Sequence, residues 1–146
     1  MKLADDSRLK FEAFFRETYG DKRFEMPTVY FYAGGFSRSI TNHLHIHGIT
    51  VGRKVFVAPT VVSVDKNLAK INVELAAHEI AHVLQYRREG FIKFFYKYFS
   101  GYWRNLKQYQ NWDAISRHLA YLDIPFEIEA RAIATEFVEW NRRNEK

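Results

Sequence analysis

The chain has 146 residues, 47% apolar and 17% aromatic, enough for one compact domain over 1–146 with no stretch disordered by composition. Its net charge of +5, from 22 basic and 17 acidic residues scattered among one another, reads as ordinary solubility, and no nucleic-acid partner is expected. The lack of cysteine excludes disulfides, thiolate zinc sites and cysteine nucleophiles, so any metal must be held by histidine and carboxylate.

In chain order, Phe11, Phe14, Phe15 and Tyr19 recur at helical spacing before Gly20, which predicts an amphipathic helix over 4–19. Val29 to Tyr32 reads as a strand broken by Gly34-Gly35. His43, His45 and His47 alternate with apolar residues and would share one face of a second strand. That pattern reads first as surface alternation and second as a further metal site. Val55 to Val57 predicts another strand closed by Pro59, and together these short segments suggest a small, mostly antiparallel sheet.

Leu68, Ile71, Leu75, Ile80, Val83 and Leu84 recur at three- and four-residue steps, which predicts a helix over 68–88 ending at Gly90. An aromatic helix is expected over 91–100, interrupted by Gly101. Asp113 suits the N-cap of a short helix reaching Tyr121, and Pro125 the first turn of a last helix reaching about Asn141. The order is helix, small sheet, then four helices.

The residues that carry chemistry are His78-Glu79-Ile80-Ala81-His82. Helical positions four apart lie on one face, so two imidazoles can reach one Zn²⁺. Glu79, offset by one residue, is placed to act as general base on a water that the metal activates. A catalytic zinc site needs a third protein ligand. Glu127 and Glu129 on the last helix are the candidates; they point in different directions, and Glu127 shares its face with the small Ala130 and Ala134. Spacing alone leaves both open.

HExxH followed on a later helix by Glu-x-x-Ala resembles the gluzincin zinc peptidases. The likeness is closer to small, largely uncharacterised bacterial metallopeptidases, carried by Gly48 to Gly52, His78 to Gln85 (HExxHVxQ) and Ala120 to Arg131 (IPxExEAR). It spans the second two-thirds of the chain. It implies a minimal zincin-like α+β fold, zinc held by His78, His82 and Glu127, and hydrolysis of a peptide or protein substrate. Arg131 stands where some gluzincins carry an aspartate that supports a metal histidine, so support is expected from Glu74, Asp123 or Glu129. Tyr121, with His118 nearby, is the candidate donor to a developing oxyanion.

The segment 91–112 interleaves aromatic residues with Lys93, Lys97, Arg104 and Lys107. It reads first as an aromatic stripe packed on the core and second as a helix making peripheral membrane contact. The competing functional class is a non-catalytic zinc-fold module that binds a protein or a membrane. With Asp5 and Asp6 where an export signal needs an apolar run, and no apolar stretch long enough to span a bilayer, the expected location is cytoplasmic.

Overall fold

The phenylalanines near the N-terminus set the first layer. Helix α1 (Asp5–Tyr19) turns Phe11, Phe14 and Phe15 inward. It stops at Gly20, whose φ of 65° is the left-handed conformation that glycine adopts without penalty. Burying a phenylalanine such as Phe15 contributes about 1.5–3 kcal/mol, and Phe11 stacks on Phe137 of the last helix at 4.1 Å between ring centres. The structure is a computed structural model that describes residues 2–44, 47–65 and 68–144.

Strand β1 (Tyr30–Tyr32) follows, then an element that the sequence reading lacked, helix α2 (Gly35–Leu44). The Gly34-Gly35 pair opens this helix: the Gly34 carbonyl accepts the first helical bond from the Arg38 amide, and the Ser37 hydroxyl donates to the Tyr32 carbonyl. The expected histidine strand is therefore corrected in part. His43 lies in the last turn of α2, His47 is exposed just before the next strand, and His45 lies outside the described residues.

Strands β2 (Gly48–Val51) and β3 (Lys54–Val57) form an antiparallel pair, and β1 joins the other side of β3 in parallel. The order β1-β3-β2 leaves β2 at an edge, with no partner strand on its outer side among the described residues. A separate hairpin pairs β4 (Val62–Asp65) with β5 (Leu68–Ile71). Here the expected helix start is wrong. Leu68 and Ile71 belong to a strand, and the helix begins only after Asn72, whose side chain accepts from the amides of Glu74 and Leu75.

Helix α3 (Val73–Glu89) runs through the middle and is buried almost all round from Ala76 to Tyr86. Its Ala77 and Ala81 face helix α6 (Pro125–Asn144), which offers Ala130 and Ala134, all four fully or almost fully buried. Small residues on both sides let the two axes approach closely. Helix α4 (Phe91–Tyr109) passes straight through Gly101 where an interruption was expected. Gly101 is buried beside Pro125 and Ile124 at the start of α6, so it marks a helix–helix contact. Helix α5 (Ala114–Leu122) starts at Asp113, which accepts from the Ser116 amide. The architecture is α+β: an N-terminal helix, a small mixed sheet, the HExxH helix and a C-terminal set of helices. None of the described helices is long and apolar enough to cross a membrane.

Candidate metal centre

One turn of α3 places His78 and His82 with their Nε2 atoms 3.1 Å apart. The close α3–α6 packing delivers Glu127 onto them: Oε2 lies 3.2 Å from His78 Nε2 and Oε1 lies 3.3 Å from His82 Nε2. These three residues are the one group of metal-binding type among the described residues. Glu129 points elsewhere, forming a bidentate pair with Arg88 at 2.7 and 2.9 Å. Packing thus separates the two glutamates that spacing left equivalent.

The donor set fits a divalent cation. An ion about 2.0–2.1 Å from each of its tetrahedral ligands puts those ligands roughly 3.3–3.4 Å apart; the two imidazole nitrogens are 3.1 Å apart and each has one of the two Glu127 oxygens at 3.2 or 3.3 Å, which brings all three residues within reach of a single ion. Glu127 Oε2 is buried without an aligned hydrogen bond, although His78 is close by. An orphaned buried carboxylate oxygen is costly unless a cation answers it.

The tautomer of His82 follows from its neighbour. The Gln85 amide nitrogen donates to the Phe126 carbonyl and to Glu129 Oε2, both at 2.9 Å. Those partners only accept, so Gln85 Oε1 faces His82 Nδ1, at 2.7 Å, and Nδ1 carries the hydrogen. The lone pair of neutral His82 is then on Nε2, aimed at the cluster. Gln85, 1% exposed, is the support for a metal histidine that was sought in Glu74, Asp123 or Glu129. Of these, only Glu129 is connected, one bond further out behind Gln85. Glu74 lies in the first turn of α3 and Asp123 accepts from Tyr109. Arg131 donates to the Leu122 carbonyl and ties α5 to α6.

Glu127 has a further partner that local sequence did not reveal. The Tyr98 hydroxyl, from α4, donates to its Oε1 at 2.6 Å. Burial works to raise the Glu127 carboxyl, but the His78 and His82 imidazoles beside it, His82 when protonated, and the Tyr98 hydroxyl outweigh it and hold the group well below the usual carboxylate range. Burial works to lower His82, yet Glu127 and Glu79 bring it out above the usual histidine range. Two buried carboxylates so close together demand positive charge, which a proton on His82 or a divalent cation supplies.

Glu79 points to the other wall. The Thr50 hydroxyl of β2 donates to its Oε2 at 2.6 Å, and Gly48 lies against its Oε1. A Cβ at Gly48 would sit 2.5 Å from that oxygen and 2.9 Å from Cδ, so only glycine leaves room for the carboxylate. Burial raises the Glu79 carboxyl above its ordinary value, opposed by His82, Thr50 and His78. Tyr121 is half-buried near Glu127; burial first, then the charge and hydrogen-bonding of Glu127, push its hydroxyl up. His118 is exposed and packs on Tyr121. Gly48, Thr50 and Gln85 fall inside the motifs noted in the sequence, and Gln85 lies three residues after His82 on the same helical face. Tyr98 had no such local signal.

Fold and cluster together define a minimal zincin-like domain whose His78-Glu79-x-x-His82 helix and distal Glu127 form a metal-binding cluster consistent with the HExxH gluzincins. Residues 5–90, more than half of the chain, match the family model of the eCIS core domain, and the chain belongs to that family. The match takes in the N-terminal third, which the gluzincin likeness did not reach, and includes His78, Glu79 and His82 but ends before Glu127. No curated protein and no solved structure matches the chain.

Proposed function

We propose that this chain is a zinc-dependent peptidase in which His78, His82 and Glu127 hold the ion and Glu79 is the general base. The observation that carries this reading is that His78, His82 and Glu127 bring one ligand atom each to within 4.8 Å of one another, with a separately held carboxylate, Glu79, alongside. A bound Zn²⁺ supplies Lewis-acid polarisation of a carbonyl and makes water more acidic. The water oxygen attacks the peptide carbonyl carbon while Glu79 takes its proton; Glu79 then gives that proton to the leaving nitrogen as the C–N bond breaks. Burial raises its carboxyl, the direction that suits a group which must both accept and return a proton. Thr50 and Gly48 fix where that proton is received, and Tyr121 is the proposed donor to the oxyanion. The position of β2 at the sheet edge, beside Glu79 and with no outer partner strand among the described residues, suits an extended peptide bound by strand addition. The resemblance of its HExxHVxQ and IPxExEAR segments to small bacterial metallopeptidases points to the same assignment.

The test is a peptide-library digest with zinc-loaded wild type and Glu79→Gln. Cleavage by the wild type that disappears in the variant, with zinc content unchanged in both, supports the proposal. Retained cleavage in Glu79→Gln removes the assigned base. Stoichiometric zinc with no cleavage by the wild type favours a non-catalytic zinc-fold module.

A further inference from the structure

Helix α4 has two faces of different character. Inward it presents Phe94, Gly101 and Asn105, all buried. Outward, Ile92, Tyr96, Phe99 and Trp103 recur at steps of four, three and four and so form one stripe along the helix. They are 85%, 74%, 54% and 48% exposed. The stripe continues past the helix end through Trp112, whose ring lies 5.5 Å from that of Trp103. Core packing therefore accounts for only part of the aromatic content of this segment.

Within α4 itself the charges beside the stripe are all of one sign. Lys93, Lys97, Arg104 and Lys107 run along its flank, and the 19 residues of α4 include no acid. Glu89, at the end of α3, lies 2.6 Å from Lys97 and 4.0 Å from Lys93. Arg104 and Lys107 have no ion pair among the described residues. A second copy of this face would set cations against cations. Stacked nucleobases would use the aromatic rings but not Ile92, the most exposed residue of the stripe. An anionic bilayer uses every part: Ile92 and Phe99 enter the acyl boundary, Tyr96 and Trp103 sit at headgroup level, and the flanking cations meet lipid phosphates.

We propose that α4 is a membrane-docking helix that lays its Ile92–Trp103 stripe into the surface of an anionic bilayer. The proposal is independent of the hydrolytic reading, since none of these side chains belongs to the metal cluster. Docking by this face would carry Tyr98, on the same helix, and through it Glu127, to the vicinity of the lipid surface.

Cosedimentation with vesicles of phosphatidylcholine containing about 30% phosphatidylserine, beside phosphatidylcholine alone, tests it. The wild type is expected to bind the anionic vesicles, with a blue shift of tryptophan emission and weakening as salt is added. Phe99→Glu and Ile92→Glu should each reduce binding about tenfold or more, and Arg104→Gln with Lys107→Gln by about 30-fold, at roughly fivefold per charge. Circular dichroism checks the fold of each variant, and Ile92, the more exposed site, keeps the test decisive if Phe99→Glu is misfolded. Failure to bind either vesicle overturns the proposal. So does a dimer in light scattering that Phe99→Glu dissociates, or capture by poly-glutamate or DNA with anionic vesicles ignored.

Discussion

Glu79 and Glu127 are equally buried, 3% and 2% exposed, yet their surroundings drive their carboxyls in opposite directions. Glu79 sits against a strand that gives it one hydroxyl and a glycine-sized gap. Glu127 sits on a helix where two imidazoles and a tyrosine converge on it. Burial alone would raise both. The partners decide the outcome, and they suit one carboxylate to carrying a proton and the other to staying ionised beside a cation.

Exchanging or weakening those partners should separate the two roles. The largest effect is expected from Glu79→Gln, which keeps the acceptor for Thr50 but cannot take a proton: kcat should fall by about 10²–10⁴-fold, with zinc content in elemental analysis unchanged. Glu127→Gln should do the reverse and release the ion, weakening zinc in a chelator competition by more than the roughly 100-fold that marks loss of an outer partner. Gly48→Ala pushes a methyl into the Glu79 carboxylate and should lower kcat about 100-fold, while zinc affinity in the same competition holds. Tyr98→Phe and Gln85→Leu act on the Glu127 side and should weaken zinc by about 10–100-fold; an effect on kcat alone would misplace them. Gly101→Ala should have the smallest effect. Its new methyl meets Pro125 Cδ at an ordinary 3.7 Å, so thermal unfolding should show up to about 1 kcal/mol of stabilisation with zinc affinity untouched.

Much of this organisation can be read along the chain, and the failures have physical reasons. Helices α1, α5 and α6 and strands β1 and β3 follow from apolar periodicity and from stops and caps such as Gly20, Asp113 and Pro125. The β4–β5 hairpin was hidden because Leu68, Ile71 and Leu75 are spaced as on a helix; the capping side chain of Asn72 was the local sign that the helix starts later. Helix α2 was missed because Gly34-Gly35 ends one element and begins the next. For the site, HExxH fixes His78, Glu79 and His82 within one turn. The choice between Glu127 and Glu129 depends on which face α3 packs against; Ala130, Ala134 and the gluzincin resemblance pointed to Glu127, and spacing alone left both open. Tyr98 comes from a third helix whose placement no local pattern encodes.

Zinc titration of chelator-stripped protein reads whether three side chains from two helices enclose one divalent cation. Wild type is expected to take up one zinc per chain, and Glu127→Ala and His82→Ala to lose that uptake while Glu129→Ala retains it. Uptake that survives removal of Glu127 and His82, or no uptake by the wild type, would mean that these three side chains do not hold an ion.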